Sequence, residues 1–196
     1  GAIAADENLI LAPANRGALR SVLFNCSDPL FEDAEIRRAV SMLVDMNSMV
    51  NAIFANDAGA TLAVRAYGPI PLELPGADEA AWINVCPVYD PDGAKAILES
   101  KGWTLGSDGI YEKGGKKFSF TLVTGNNDAA REKLAVMIAT QLQSAGIACT
   151  AQTVEYATMT SDIKAGNYQM AINGGASSLD GINMIASSTK MKTASF

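Results

Sequence analysis

Strand-like and helix-like segments alternate through the second half of the chain, and this alternation constrains the fold more than any other feature. Residues 110–113 and 116–123 have strand character on either side of Gly114 and Gly115, a pair typical of a two-residue hairpin turn. The segments that follow, in order, are a helix over 128–145 capped by Asn127, a strand over 147–154, a helix over 158–164 and a strand over 168–173. Such alternation is typical of a sheet covered by helices, so we predict an α/β fold, a mixed sheet with packed helices.

The first half of the chain adds a strand over 21–25 and three helices to this pattern. One helix begins at about Asp33, a second spans 46–54, and a third opens at Asp90 and ends at Gly102. Residues 61–89 show no periodicity, and we interpret them as an ordered segment that wraps the core. The apolar residues expected to pin that segment are Leu72, Leu74, Trp82, Ile83 and Val85. We predict one domain over 21–196, preceded by an irregular lead-in over 1–20.

Composition removes several function classes. The 196 residues include no histidine, which excludes Ser-His-Asp and Cys-His catalysis and any zinc site with a histidine ligand. The net charge of −6 argues against a general nucleic-acid binder. Ser-Lys pairs, paired carboxylates and all-oxygen metal sites stay possible by composition, but no motif indicates one, so we name no catalytic residues, no metal ligands and no cofactor. Cys26, Cys86 and Cys149 form no CxxC pair; we interpret them as small buried side chains, although one disulfide of undetermined pairing stays open.

Two local motifs could indicate a binding or catalytic site, but helix-end chemistry explains each of them more simply. The Gly-Asn-Asn sequence at 125–127 could present backbone N–H groups to an anion, but its spacing is not that of a nucleotide-binding loop, and helix capping explains it. The carboxylates of Glu32, Asp33 and Glu35 could form a cluster, but acidic residues at a helix start are explained by the helix dipole.

The end of the last predicted strand is the strongest candidate for a binding site. Ligands of open α/β sheets tend to lie beyond the carboxyl ends of the strands. A glycine pair there would let a ligand approach bare backbone, while two hydroxyls and a carboxylate offer hydrogen bonds; an ordinary turn with a serine cap is the alternative. The predicted ligand-binding residues are Asn173, Gly174, Gly175, Ser177, Ser178 and Asp180.

Three stretches together resemble the family 5 extracellular solute-binding proteins, the peptide, dipeptide and nickel receptors of ABC importers. The first is DPLFEDAEIRRAVSMLVD at 28–45, and the second is YDPDGAKAILESKGW at 89–103, followed by DGIY and GK. The third combines QLQSAGI at 141–147 with GNYQMAI at 166–172. The resemblance covers roughly residues 21–185 and implies a type II periplasmic-binding-protein-like lobe, inserted between two segments of a second lobe.

The resemblance also implies partners and a location. Family members close two lobes around a peptide or another small molecule and present it to an ABC-importer permease, without catalysis and without an obligatory cofactor. We therefore expect a missing second lobe of the same chain, and a location outside the cytoplasmic membrane, in the periplasm or as a cell-surface lipoprotein. Because the sequence opens on Gly1, we expect any signal or lipid anchor to precede it.

One departure from the family concerns the predicted site. Peptide-binding members follow this strand with a Gly-Trp-x-x-Asp-like segment whose Asp takes the peptide amino terminus. Here Gly175 stands at the Trp position, Ser178 falls near the Asp position, and Asp180 lies two residues further on. The alternatives to a receptor lobe are a stand-alone sensing or interaction module on the same fold and a small enzyme that uses carboxylates or lysines.

Overall fold

The computed structural model describes residues 18–55, 62–68, 76–176 and 193–195. The strands are β1 (Ala18–Asn25), β2 (Thr104–Leu105), β3 (Tyr111–Lys113), β4 (Lys116–Lys117), β5 (Ser119–Gly125), β6 (Ala148–Val154), β7 (Met170–Ala176) and β8 (Thr193–Ser195). The helices are α1 (Ala34–Met42), α2 (Met46–Phe54), α3 (Glu79–Ile83), α4 (Pro91–Ser100), α5 (Ala129–Ser144) and α6 (Tyr156–Ala165).

The main sheet is mixed, as the alternation of elements predicts. Its strand order is β6-β5-β7-β1-β8. The β5 strand runs parallel to both β6 and β7, whereas β1 is antiparallel to β7 and β8. The parallel pairs are joined by α5 and α6, because parallel neighbours need a crossover connection and a helix supplies it. The α/β fold class is therefore confirmed.

The sheet is covered on both faces, and the alternation of side chains along its strands decides which residues face which layer. Val22 and Phe24 of β1 pack with α1, α2, α4 and α5 in the larger core, while Leu23 between them packs with Met159 and Ile163 of α6. Strands with both faces buried lose the simple polar–apolar alternation. That is why β7 reads as a nearly continuous apolar run.

A chain of aromatic rings fills the larger core. The ring centroids of Phe24 and Phe31 lie 4.8 Å apart, and those of Phe31 and Phe120 lie 5.0 Å apart in an edge-to-face arrangement. Phe118 continues the chain at 6.0 Å from Phe120 and 4.5 Å from Trp103. These contacts join β1, β5 and the loop after α4, so the larger core is continuous across this face of the main sheet.

Helix starts follow the predicted chemistry with one correction. Asp33 and Asp90 cap α1 and α4, each accepting a hydrogen bond from a backbone N–H of the first turn. The prediction that Asn127 caps α5 is wrong: Asp128 is the cap, and its carboxylate accepts from Ala130 and Arg131. A carboxylate is favoured there, because it also interacts with the positive end of the helix dipole.

The predicted hairpin is divided between two sheets. Gly114 and Gly115 do form the turn, both with positive φ. However, β3 pairs with β2 on one side and β4 on the other in a separate three-stranded sheet, and the chain then enters the main sheet as β5. Phe118 lies at the junction and is fully buried. Local sequence showed one strand over 116–123, because nothing in its pattern marks a change of partner.

The wrapping segment is described only over 62–68 and 76–89. It contains the short helix α3, which the sequence analysis did not predict, with Trp82 half-buried near Gly68. The expectation that Ile83 and Val85 pin the segment is wrong, because they are 44% and 71% exposed. Leu72 and Leu74, together with residues 1–17 of the lead-in, lie outside the described residues.

The cysteines differ in accessibility, and this difference is testable. The structure shows no disulfide among the three; Cys26 and Cys86 are half-buried, whereas Cys149 on β6 is buried. Burial raises the pKa of the Cys149 thiol to about 12. Because the thiolate is the reactive form, we expect iodoacetamide at pH 8 to modify Cys149 at least about 100-fold more slowly than Cys26 and Cys86 in the reduced, folded protein.

Peptide mass spectrometry over a time course of alkylation measures the three rates separately. The control is the same protein in concentrated urea, where all three cysteines should react alike. Equal rates for Cys149 and Cys26 in the folded protein would contradict the burial of β6 against the core.

Candidate functional site

The carboxyl ends of the three parallel strands meet at one edge of the main sheet. There, Gly125 ends β5 and is paired in register with Val154 at the end of β6. On the other side of β5, Thr124 is paired with Ile172 of β7, which places Asn173 at the same edge. The amino terminus of α5 follows directly after β5. This edge is therefore where an open α/β sheet is expected to bind a ligand.

A network of charged side chains occupies this edge, centred on Asp128. Its Oδ1 accepts from the backbone N–H groups of Ala130 and Arg131, at 3.0 and 3.3 Å. Its Oδ2 accepts from the Arg20 guanidinium, with Nε at 3.0 Å and Nη2 at 2.9 Å, and from Arg131 Nε at 3.1 Å. One carboxylate thus joins strand β1 to the first turn of α5. We call Arg20, Asp128, Arg131 and Asn173 the edge cluster.

Arg131 is the buried member of the edge cluster, with 7% of its surface exposed. Its Nη1 donates to Asn173 Oδ1 at 3.3 Å, and its guanidinium carbon lies 5.7 Å from the centre of the Tyr156 ring. A buried charge requires a partner, and Asp128 supplies it. Arg131 therefore links α5, the end of β7 and the start of α6.

Arg20 is the more accessible arginine. Its side chain is 37% exposed, and its guanidinium carbon lies 5.3 Å from the centre of the Phe54 ring at the end of α2. Attraction between a cation and a ring face is worth about 0.5–1 kcal/mol at exposed sites. Phe54 therefore helps to hold the guanidinium over the edge of the sheet.

The electrostatics of the cluster keep Asp128 ionised. Burial by itself would raise the pKa of the Asp128 carboxyl, but the hydrogen bonds from Arg131 and the charge of Arg20 outweigh it and lower that pKa below its ordinary value. Two guanidinium groups share this one carboxylate. The edge cluster consequently carries a net positive charge at neutral pH.

The structure describes three of the six predicted site residues, all on β7. Asn173, Gly174 and Gly175 are paired with Ser21, Arg20 and Leu19 of β1, because the strand continues to Ala176 rather than ending at Asn173. Ser177, Ser178 and Asp180 lie outside the described residues. A ligand-binding role for all six stays a prediction.

Gly174 has a packing reason to be glycine. A Cβ atom built on it would collide with the backbone carbonyl oxygen of Leu19 and would lie 2.9 Å from Arg20 Cα. The backbones of β7 and β1 therefore approach each other more closely here than any other residue permits. As expected, no side chain covers the backbone at Gly174, but that backbone faces strand β1.

Sequence reasoning missed Arg20, Asp128 and Arg131. The strand that carries Arg20 begins at Ala18, inside the predicted lead-in, so the position gave no signal. Arg131 did give one, because it lies in line with the buried stripe of α5 that continues through Leu134, Ile138 and Leu142. An arginine in line with an apolar stripe indicates a buried charge with a partner.

A second concave region lies at the opposite end of β7. It is an open groove of about 500 Å³, and its lining includes Asn25, Asp28, Thr121, Gln152 and Gln169. Two of its side-chain amides form hydrogen bonds that stabilise the fold. Asn25 Nδ2 donates to the carbonyl oxygens of Gly166 and Tyr168, and Gln169 Oε1 accepts from the Thr121 N–H. Gln169 in the lining of this groove is four residues from Asn173 along the chain, about 13 Å at about 3.3 Å per strand residue.

The described residues contain neither a membrane-spanning helix nor a cluster of metal-binding side chains. Among the helices that the structure describes, none is long and apolar enough to cross a membrane. Within the same residues, no group of three or more cysteine, aspartate or glutamate side chains is arranged to hold a metal ion.

The class of protein follows from the fold and its comparison with known proteins. A mixed sheet covered by helices is an α/β domain, and its carboxyl edge is where such domains tend to bind ligands. The profile of the family described as "Bacterial extracellular solute-binding proteins, family 5 Middle" matches residues 2–194. The chain belongs to this family, as its three motifs predict.

Individual relatives agree with this assignment. The chain is 30% identical over 146 residues to the oligopeptide-binding protein AppA of Bacillus subtilis, covering 74% of this chain and 26% of AppA. The structure of B. subtilis AppA in complex with a nonapeptide matches 83% of this chain and 32% of its own, with a TM-score of 0.70 and 27% identity. NikZ from Campylobacter jejuni in complex with Ni(L-His) matches 95% of this chain and 36% of its own, with a TM-score of 0.67 and 20% identity, and so shares the fold.

The chain spans about a quarter of the length of the curated relatives it matches, 26% of AppA and 25% of the probable D,D-dipeptide-binding periplasmic protein DdpA of Escherichia coli. These relatives and structural neighbours are binding proteins. The family itself is described as one of solute-binding proteins.

Proposed function

We propose that this chain is the ligand-binding lobe of an ABC-importer substrate-binding protein for oligopeptides, dipeptides or a related small solute. The observation that carries the proposal is the match to AppA, which is at once a relative by sequence and a structural neighbour captured with a nonapeptide. The proposed role involves no catalysis and no cofactor. Its location is outside the cytoplasmic membrane, in the periplasm or on a lipid-anchored receptor at the cell surface.

The mechanism of the proposed receptor is a hinge equilibrium. A second lobe of the same protein would face the edge cluster, and a ligand that touches both lobes would favour the closed form by the free energy of those contacts. The permease would then recognise the closed form. Residues 21–196 would make up the lobe described here. A lobe that supplies only part of the contacts should bind a peptide more weakly than the whole receptor.

Native mass spectrometry of the full-length protein, purified from its own compartment, tests this proposal. We expect a mature chain much longer than 196 residues that carries a co-purified peptide or small solute. Small-angle X-ray scattering should then show a more compact particle with ligand than without. The control is the same protein unfolded and refolded to remove the ligand, which should return to the open form.

A mature chain of about this size, with no bound solute, would overturn the receptor proposal. The same fold would then act as a stand-alone sensing or interaction module. Scattering curves that do not change on addition of the identified ligand would overturn lobe closure alone.

A further inference from the structure

In the edge cluster, the hydrogen-bond acceptors are occupied, whereas several N–H donors have no partner among the described residues. Asp128 accepts five hydrogen bonds from three residues, which occupies both of its oxygens. Asn173 Oδ1 accepts from Arg131 Nη1 and also from the Gly174 N–H at 2.8 Å. A carboxylate and an amide oxygen offer only a few lone pairs each. Neither has capacity left for a ligand donor.

The unused groups of the cluster are all N–H groups. A guanidinium has five N–H donors. Among the residues that the structure describes, Arg20 donates through Nε and Nη2, both to Asp128, and Arg131 donates through Nε and Nη1. The remaining guanidinium N–H groups of both arginines and the amide N–H groups of Asn173 have no partner among these residues. The edge thus offers donors on a net positive centre.

The neighbouring carboxylates have hydrogen-bond partners other than the two arginines. Glu155 caps α6, accepting from the Thr158 N–H at 2.8 Å, and its pKa is lowered by hydrogen bonds from the backbone N–H groups of that first turn. Glu132, on the first turn of α5, accepts from Thr153 Oγ1 at 3.5 Å and so is turned toward β6, away from Arg20. The amino termini of α5 and α6 both add positive potential at the same edge.

We infer that the edge cluster binds a carboxylate of the ligand, with Arg20 and Arg131 as donors and Asn173 as a third. This inference rests on the proposed function and names the chemistry of the ligand at that site. A planar guanidinium matches a carboxylate with two parallel hydrogen bonds. A ligand ammonium group would instead meet two like charges and a saturated aspartate. For a peptide ligand, the group is the terminal carboxylate or an acidic side chain.

Isothermal titration of the full-length protein with three matched probes tests the inference. N-acetyl-trialanine has a carboxylate and no ammonium group, trialanine amide has the reverse, and trialanine has both. Charge-assisted hydrogen bonds are roughly twice as strong as neutral ones, so we expect N-acetyl-trialanine to bind about tenfold or more tightly than trialanine amide. Raising the salt concentration should reduce this ratio.

Variants of the edge cluster test whether it causes the preference for a carboxylate, because N-acetyl-trialanine and trialanine amide contact the same protein outside the cluster. Arg20→Gln should bring the affinity ratio close to one, and Arg131→Lys, which keeps the buried charge, should lower it with the fold retained. The matched control is Arg38→Gln. Arg38 is an exposed arginine of α1 with no ion pair among the described residues, and its replacement should leave the ratio unchanged.

The outcomes separate the two proposals. If trialanine binds but the ratio favours the amide, or is unchanged by both Arg20→Gln and Arg131→Lys, the carboxylate inference is wrong while the receptor proposal stands. If none of the three probes binds, the peptide-receptor proposal fails and the inference fails with it. A ratio of about ten that collapses in Arg20→Gln, and not in Arg38→Gln, supports both.

Discussion

Replacing Asp128 with alanine will lower the free energy of unfolding of this chain by about 3 kcal/mol, more than the loss of any other helix cap described here. Removing one partner of a buried ion pair leaves an uncompensated charge, at a cost of about 3–5 kcal/mol, and we take the lower end because Asp128 keeps some exposure. The charge left behind is that of Arg131, 7% exposed. Urea denaturation followed by circular dichroism measures the loss.

Asp33→Ala is the matched control for that experiment. Asp33 also caps a helix and also forms an ion pair, with Lys101 at 2.7 Å, but the partner is a lysine at the surface. Loss of an ordinary cap costs about 1 kcal/mol. If Asp128→Ala costs no more than Asp33→Ala, then Arg131 has another partner and the edge cluster is not held as described.

The same aspartate predicts how stability depends on pH. The folded-state pKa of Asp128 is lowered from an ordinary value of 3.8, so the unfolded chain takes up the proton first as pH falls. Its stabilising contribution is therefore complete above pH 4 and disappears as pH falls through the lowered pKa. Asp128→Asn retains a good cap and loses the charge. The stability difference between Asp128→Asn and the parent protein should be largest near pH 7 and should shrink below pH 4.

Replacing Gly174 with alanine will have the second large effect, a loss of more than about 3 kcal/mol or failure to fold. The added methyl group would enter the backbone of β1, and backbone atoms in the middle of a sheet cannot move aside as a flexible side chain can. Overpacking of this kind ordinarily costs about 1–3 kcal/mol when side chains absorb it, and here they do not.

Gly114→Ala is the control for Gly174→Ala. Gly114 lies in the turn between β3 and β4 with φ of +56°, and no heavy atom lies within 4 Å of a Cβ built there. Its substitution adds only the strain of a left-handed conformation, about 1–2 kcal/mol. Thermal unfolding monitored by circular dichroism compares the two variants. Equal stability losses would show that β7 can separate from β1 at little cost.

Much of the fold was predictable because interactions between residues close in sequence determine it. Asp33 and Asp90 precede amphipathic stretches, and a cap acts within three residues of itself. The helix predicted over 158–164 is α6, which ends at Gly166 in a left-handed conformation. The order of strands and helices followed from such signals, since each depends only on neighbours along the chain.

The candidate site was predictable only in part. The carboxyl edge and Asn173 followed from the general geometry of parallel strands. The other members of the edge cluster did not, because Arg20 and Asp128 are 108 residues apart and Arg131 and Asn173 are 42 apart, and local pattern carries no information about such contacts. The strand β7 also extends further than predicted. Gly174 and Gly175 have weak strand propensity, so the sequence did not indicate a strand there, and pairing with β1 holds them in it.

The amino-acid sequence alone therefore determined the α/β class, the order of the longer strands and helices and the helix caps at Asp33 and Asp90, because these depend on spacing and short-range chemistry. Its three motifs determined the family. Tertiary structure alone decided that the segment after Gly115 splits between two sheets and that Asp128 joins two arginines from distant elements. Sheet partners and buried ion pairs are set by which elements pack together, and the free energy of that packing belongs to the whole chain.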